Sequence, residues 1–269
     1  MHIRELNFVY WRVMIEPQIY PILDFDPSPT AIIEPSEVLE KKDYSKKVLF
    51  CFFYDVFLNL VRSGKAVRVD HLISEMGENP IYLLEHRGVE YMLLHPGVGA
   101  PIATACLEEM IARGCNQFIA CGGCGVLNPE IAVGHVLVPK SAVRDEGTSY
   151  AYLPPAAEVT ANQRVLISIE NTLKRMKVDY REVKTWTSDA IYRETIERSR
   201  IRRSQGCSVV EMETAAFMAA AQFRGVEFGQ LLYGGDSVQE DGWDDRGWQR
   251  RDSIRESLYW LAVEALIDL

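Results

Sequence analysis

The sequence has little positive charge and no long apolar run. It contains 29 Lys and Arg against 38 Asp and Glu, a formal net charge of −9 at pH 7. Binding to nucleic acid or anionic membranes needs basic residues on one face, so neither partner is expected. The longest apolar stretches, such as VLFCFF, are far shorter than the roughly 20 residues that span a bilayer. The first residues, MHIRELNFVYWRVMIEP, carry acids too early for a signal peptide, and the expected location is the cytoplasm.

The six cysteines lack the spacing of a disulfide framework. Most lie in apolar runs, which predicts reduced and buried thiols. Cys121 and Cys124 form a C-x-x-C, but no second pair and no His-x-x-x-His follow. The sequence therefore favours packing over metal or redox chemistry for these thiols, and neither a metal nor a cofactor is expected.

The composition suits one large domain preceded by an irregular segment. Of the 269 residues, 48% are hydrophobic. Residues 1–46 are rich in proline and are predicted to wrap over a surface, while residues 47–269 form the domain. Six segments of this domain are short and rich in β-branched or aromatic residues. The predicted strands are KVLFCFF from Lys47, VEYMLLH from Val89, QFIACGG from Gln117, GHVLVPKSAV from Gly134, REVKTWTS from Arg181 and VEFGQLLYGG from Val226.

Helical patterns lie between these strands. PIATACLEEMIARG begins with a proline and ends at Gly114, and METAAFMAAAQFRG and RDSIRESLYWLAVEALIDL show the helical period. The alternation predicts an α/β fold, a single domain with a central mixed β-sheet flanked by helices. Ligands bind such sheets at the carboxyl ends of strands. Glycine and polar residues cluster there in HPGVGAP, CGGCGVLNP, RDEGTSYAYLPP, TSDAIYRE and GGDSV.

These segments, in this order, resemble the nucleoside phosphorylase family, which includes uridine phosphorylase, hexameric purine nucleoside phosphorylase and related nucleosidases. The resemblance runs from about Lys47 to the C-terminus, and VEMETAA is its most distinctive part. It implies the nucleoside phosphorylase-like fold and cleavage of the N-glycosidic bond of a purine or pyrimidine nucleoside. It also implies a homo-oligomer, a dimer or hexamer, in which a neighbour completes each site. Phosphorolysis is the family default, with inorganic phosphate as co-substrate.

The resemblance assigns the acids of VEME to the sugar. Glu213 matches the family residue that accepts hydrogen bonds from the ribose 2′ and 3′ hydroxyls, a role that suits an ionised carboxylate. Met212 matches the polarizable side chain that packs on the sugar ring. Two interpretations stay open for Glu211: a sugar contact, or an acid favoured by the dipole of the helix that follows.

The resemblance also assigns residues to the base. Cleavage puts negative charge on the departing base, which a general acid relieves. Asp236 matches the aspartate that supplies a proton or hydrogen bond in purine-cleaving relatives, and Arg250 loosely matches the arginine that partners it. The other predicted base contacts are Ile191, where the family commonly has a phenylalanine, and Tyr192, Arg144 and Thr148.

The phosphate site departs from the family pattern. No G-D-P-x-x-x-R turn follows the first strand, and Ala120 and Gly123 replace an expected arginine and hydroxyl. The predicted anion contacts are therefore backbone amides in glycine turns, at Gly99, Gly122 and Gly123. Three functions stay open: phosphorolysis, hydrolysis by water that Asp55 activates, and nucleoside binding without turnover. Asp55 has a second interpretation as the cap of the helix after the first strand.

Overall fold

The computed structural model describes residues 17–239 and 242–269, and their strands form one eleven-stranded sheet. In chain order they are β1 (Lys47–Cys51), β2 (Val67–Ser74), β3 (Gly77–His86), β4 (Val89–Leu94), β5 (Gln117–Val126), β6 (Val136–Asp145), β7 (Glu158–Thr160), β8 (Tyr180–Ser188), β9 (Cys207–Glu211), β10 (Glu227–Gln239) and β11 (Gly242–Asp244).

Strand pairing brings several strand ends to one place. β4, β1, β5 and β10 are parallel neighbours, so their carboxyl ends lie on the same edge. β9 runs antiparallel to β5 and pairs only with the last two residues of β5, Gly125 and Val126. Five strands form a closed ring of neighbours, in the order β5, β10, β6, β8 and β9. Each pairs with the next, and β9 pairs with β5 again. The end of β9 therefore arrives beside the ends of β5 and β10.

Helices cover both faces of the sheet. Their bounds are α1 (Pro35–Val38), α2 (Tyr54–Arg62), α3 (Ala100–Ala112), α4 (Ser149–Tyr152), α5 (Gln163–Arg175), α6 (Ile196–Ser204), α7 (Thr214–Arg224) and α8 (Asp252–Asp268). Short 3₁₀ turns lie at Pro21–Leu23, Ile191–Arg193 and Trp248–Arg250. Along β1, successive side chains point to opposite faces. Leu49 packs with α2, α5 and α8 in one core, and Phe50 stacks on Phe217 of α7 in the other, with ring centroids 5.4 Å apart.

The predicted α/β fold is confirmed, as is each of the six predicted strands and three helices. The sequence analysis missed the β2–β3 hairpin and helices α5 and α6. β2 lies at the edge of the sheet and buries only Leu72, and its few apolar residues do not form the continuous run that indicates a central strand. The predicted thiol state is also confirmed, because all six cysteines are buried and unpaired.

Residues 17–46 carry only α1 and the 3₁₀ turn at Pro21–Leu23. Arg224 of α7 donates a hydrogen bond to the carbonyl of Pro29 at 2.9 Å, and the Lys42 amide donates to the carbonyl of Arg113. Residues 1–16 lie outside the described part, and the division at residue 46 stays a prediction. In the ranges 17–239 and 242–269, none of the helices combines the length and apolar character that crossing a membrane demands.

Candidate active site

Glu211 ends β9, and its carboxylate joins β8 to the start of α7. Oε1 accepts hydrogen bonds from the hydroxyls of Thr185 and Thr187 at 3.1 and 2.7 Å. Oε2 accepts from the amides of Glu213 and Thr214 at 2.7 and 2.6 Å. Amides at a helix start have no partner within the helix, and Glu211 supplies one. These contacts agree with the helix-start interpretation of Glu211, and they fix the position of Glu213.

Glu213 directly precedes α7, is only 6% exposed, and points toward the end of β4. One carboxylate oxygen accepts a hydrogen bond of 2.5 Å from the amide of Gly99, the residue before α3. Burial, reinforced by the charge of Glu211, raises the pKa of Glu213 to about 8. A Cβ added to Gly99 would meet nothing within 4 Å, so open space lies beside this hydrogen bond. Glu213 is thus a buried carboxyl bonded to a glycine that has open space beside it.

Met212 lies between these two acids and differs from its neighbours in exposure. In the fully described range 211–221 it is the one residue that is not buried. Met212 is therefore partly exposed between two buried acids. The sugar-packing role of Met212 stays a prediction.

Asp236 lies where the pairing of β10 with β5 shifts by one residue, between Gly234 and Ser237. Such a bulge redirects a side chain out of the regular ladder. Oδ2 of Asp236 accepts a hydrogen bond of 2.8 Å from the indole of Trp243 on β11. A Cβ built on Gly125 would lie 3.8 Å from Oδ1, which places the carboxylate over the end of β5. Arg250, the predicted partner of Asp236, is exposed in a 3₁₀ turn. The hydrogen bond that was expected from Arg250 comes instead from Trp243.

The predicted stacking residues lie on the surface of the single chain. Ile191 is 56% exposed and Tyr192 is 95% exposed, both in the 3₁₀ turn after β8. The next acid, Glu194, is half-buried, and its carboxyl forms a hydrogen bond with Ser188. Burial raises the pKa of Glu194 to about 7, and the charge of Asp236 acts in the same direction. The sequence analysis missed Glu194, whose only sequence signal was its position after the predicted base loop.

Arg144 is buried and its guanidinium is engaged within its own loop. It donates hydrogen bonds to the hydroxyl and carbonyl of Ser149 and to the carbonyls of Leu153 and Pro154, at 2.8 to 3.1 Å. Four of its five donors are therefore used to shape the loop that carries Thr148. Base contacts by Arg144 and the half-buried Thr148 stay predictions.

The prediction of a glycine turn at Gly122 and Gly123 is wrong. Both residues belong to β5, where they pair with Leu232 and Tyr233 of β10. Side chains are excluded there by aromatic rings, because a Cβ on Gly123 would come within 3.1 Å of the Tyr233 ring. In the other glycine segment the Gly99 amide already binds Glu213, as described above. Anion binding at these amides stays a prediction, with fewer free donors than the sequence suggested.

Asp55 lies in the first turn of α2, and its carboxylate is 2.6 Å from a guanidinium nitrogen of Arg255 on α8. The Arg255 guanidinium also lies over the Phe53 ring, 5.1 Å from its centroid. Asp55 makes no side-chain cap to α2, whose N-cap is Phe53. The cap interpretation is therefore wrong, and the carboxylate that was a candidate to activate water is held in an ion pair.

Comparison with known proteins assigns this chain to a family. The model of the phosphorylase superfamily matches residues 55–258. Guanosine phosphorylase of Halorubrum lacusprofundi is 24% identical over 197 residues, which cover 70% of this chain and 80% of that protein. Uridine phosphorylase of Thermococcus kodakarensis is 30% identical over 108 residues, which cover 40% of this chain and 39% of that protein.

Solved structures share the fold at low sequence identity. AMP nucleosidase from Bacteroides thetaiotaomicron superposes with a TM-score of 0.67 and 23% identity, covering 84% of this chain and 88% of that one. Purine nucleoside phosphorylase from Toxoplasma gondii, in complex with immucillin-H, gives a TM-score of 0.70 and 19% identity, covering 88% and 98%. The chain belongs to the phosphorylase superfamily, whose family model matches about three quarters of it.

Proposed function

We propose that this enzyme cleaves the N-glycosidic bond of a nucleoside, with Glu213 holding the ribose. The single observation that carries the proposal is the buried carboxyl of Glu213 at the N-terminus of α7. The Glu213 amide is held by a hydrogen bond to Glu211, and open space lies beside Gly99. A buried carboxyl is further stabilised when a ligand donates hydrogen bonds to it. Two adjacent ribose hydroxyls are donors of that kind.

The other end of the bond would lie toward Asp236. As the C1′–N bond lengthens, the sugar gains positive charge and the base gains negative charge. The Glu213 carboxyl stabilises the sugar side by accepting hydrogen bonds from the ribose hydroxyls. On the base side, the Asp236 carboxyl above the end of β5 supplies a proton or a hydrogen bond. The Trp243 indole holds Asp236 in position for that contact.

Orthophosphate is the acceptor that the named relatives favour, since both curated relatives described above are phosphorylases. One observation favours water as a second candidate. The charged neighbours that raise the pKa of Glu213 are the carboxylates of Glu211 and Asp189, which would repel a phosphate dianion. The Asp55 carboxylate is held in an ion pair with Arg255, so the proposed hydrolysis does not rely on Asp55 to activate water.

The test is incubation with a panel of purine and pyrimidine nucleosides, with and without phosphate, measuring free base, ribose and ribose 1-phosphate. Release of base by the wild-type protein and its loss in Glu213→Gln support the proposal. Phosphate-dependent formation of ribose 1-phosphate identifies phosphorolysis, and ribose formed in phosphate-free buffer identifies hydrolysis. Binding of nucleosides without release of any base would show that the chain binds without turnover and would refute the proposal.

A further inference from the structure

Trp243 is the one exposed tryptophan in residues 17–239 and 242–269. Its residue surface is 67% exposed, whereas Trp186 is fully buried and Trp248 and Trp260 are partly buried. The indole ring is a large apolar surface that folded proteins usually cover to a high degree. A large exposed ring beside a candidate site therefore indicates a surface on which a ligand packs.

Two independent features of the chain place this ring beside Asp236. The indole N–H donates a hydrogen bond of 2.8 Å to Oδ2 of Asp236. In the pairing of β11 with β10, Trp243 lies directly opposite Val238, and side chains paired in this way lie on the same face of a sheet. A Cβ built on Gly125 would lie 3.1 Å from the Val238 side chain and 3.8 Å from Oδ1 of Asp236. The ring is thus held at the end of β5, at the proposed base end of the site.

The hydrogen bond fixes how the ring and the carboxylate are arranged. An indole N–H lies in the plane of its ring, so the Asp236 carboxylate is at the edge of the ring and the bond uses neither face. Oδ1 of Asp236 accepts no hydrogen bond from the described residues, and it is therefore available to a ligand. A flat heterocycle stacked on the ring would bring its own edge next to this oxygen. Together the two side chains offer a stacking surface and a hydrogen-bond acceptor.

The residues that the sequence analysis assigned to stacking are less well prepared for it. Ile191 has no ring, and Tyr192 is 95% exposed, so its ring packs against almost nothing. Trp243 is instead held in place before any ligand arrives, by its hydrogen bond and by the pairing of β11 with β10. A ligand that stacks on a fixed ring loses less binding free energy to the ordering of that ring.

On the basis of the proposed function, we propose that Trp243 binds the base of the substrate by stacking, and that it favours purine over pyrimidine nucleosides. A purine has two fused rings and covers more of an indole than the single ring of a pyrimidine does. The gain from stacking is therefore larger for a purine. Oδ1 of Asp236 contacts the edge of the same base. Trp243 takes part in no bond breaking, since it holds the base before and after the C1′–N bond is cleaved.

The experiment measures KM and kcat for inosine and uridine in wild type, Trp243→Phe, Trp243→Ala and the control Ile167→Ala. Both Trp243 variants lose the hydrogen bond to Asp236, so the difference between them reports the aromatic ring alone. KM for inosine should be about 5-fold to 100-fold higher in Trp243→Ala than in Trp243→Phe, and the difference for uridine should be smaller. Ile167 is an exposed apolar residue of α5, and its variant should match wild type.

A second measurement observes the contact without turnover. Hypoxanthine, the free base of inosine, has no glycosidic bond to cleave, and its binding is measured by calorimetry and by tryptophan fluorescence. Stacking of a base on Trp243 should lower the emission of wild type, and the change should be much smaller in Trp243→Phe. This comparison decides the question even if Trp243→Ala fails to fold. Unchanged wild-type emission at saturating hypoxanthine would overturn the proposal.

The kinetic outcomes separate this inference from the function on which it rests. A wild-type protein that cleaves no nucleoside refutes the proposed function. Equal KM values for inosine in Trp243→Ala and Trp243→Phe overturn the stacking role while the function stands. Cleavage of uridine alone, or equal rises in KM for inosine and uridine, overturns the purine preference. A rise in KM in Tyr192→Ala, with Trp243→Ala unaffected, would assign the stacking surface to Tyr192 instead.

Discussion

Replacing Glu213 with glutamine should abolish turnover and, at alkaline pH, stabilise the folded protein. The carboxyl is buried beside Glu211, and its pKa is raised to about 8 from an ordinary value of 4.5. Between these two pH values the folded chain keeps a proton that the unfolded chain has lost. The free energy of unfolding therefore falls as pH rises through this window, and it stays low above pH 8. Glutamine has no proton to lose, so the variant escapes this loss.

The size of the effect follows from the same window. Each pH unit over which the folded state alone retains the proton is worth about 1.4 kcal/mol, which sets a ceiling of about 5 kcal/mol. Because Glu211 and Glu213 interact, an effect between about 2 and 5 kcal/mol is expected. Above pH 8, where the Glu213 carboxyl is ionised, turnover should fall severely in the variant, because each charge-assisted hydrogen bond to a ribose hydroxyl contributes about 1.5 to 3 kcal/mol.

Urea denaturation at pH 5, 7 and 9 measures the prediction. The difference in unfolding free energy between Glu213→Gln and wild type should move in favour of the variant as pH rises. Comparing pH values within each protein removes any constant cost of the lost Gly99 contact. Glu197→Gln, which replaces an exposed acid, is the control and should follow wild type. Parallel pH curves for wild type and Glu213→Gln would refute the electrostatic argument, and wild-type turnover in that variant would refute the ribose assignment.

Three further substitutions test other contacts of the site. Asp236→Asn should lower kcat for purine nucleosides more than it raises KM, since the contact to the base strengthens in the transition state; equal changes in both would contradict this. Trp243→Phe removes the 2.8 Å hydrogen bond to Asp236 and should lower kcat by up to about 10-fold, whereas an unchanged kcat would deny the indole a positioning role. Asp55→Asn leaves Arg255 without its ion-pair partner, so the denaturation midpoint should fall while phosphate-dependent turnover survives. Loss of turnover in phosphate-free buffer would instead indicate that Asp55 activates water.

Much of the fold was predictable because each main strand has a clear local signal. β1, β5 and β10 are short runs of apolar residues, buried on both faces, and such runs indicate central strands. β2 gave no such signal because it is an edge strand with one buried side chain. Gly122 and Gly123 suggested a turn, but they are strand residues that leave room for the rings of Phe52 and Tyr233. That requirement depends on tertiary packing and has no local signature.

In the candidate site, too, some residues were predictable from the sequence and others were not. VEME was informative because the strand end, the acids and the helix start are adjacent in the sequence. The partners of Asp55 and Asp236 were not predictable, because Arg255 is 200 residues from Asp55 and Trp243 approaches through the pairing of β11 with β10. Glu194 went unnoticed because its partial burial depends on the conformation of the loop after β8. Sequence patterns thus indicate the proposed sugar end of the candidate site more fully than its proposed base end.

The central claim is that this chain breaks the bond between ribose and base. Its most direct test is chromatography of products after incubation of the wild-type protein and Glu213→Gln with guanosine, in the presence and absence of phosphate. The account predicts that wild type releases free guanine together with ribose 1-phosphate or ribose, and that the variant releases almost none. Intact guanosine in both samples, after binding has been demonstrated by calorimetry, would contradict it.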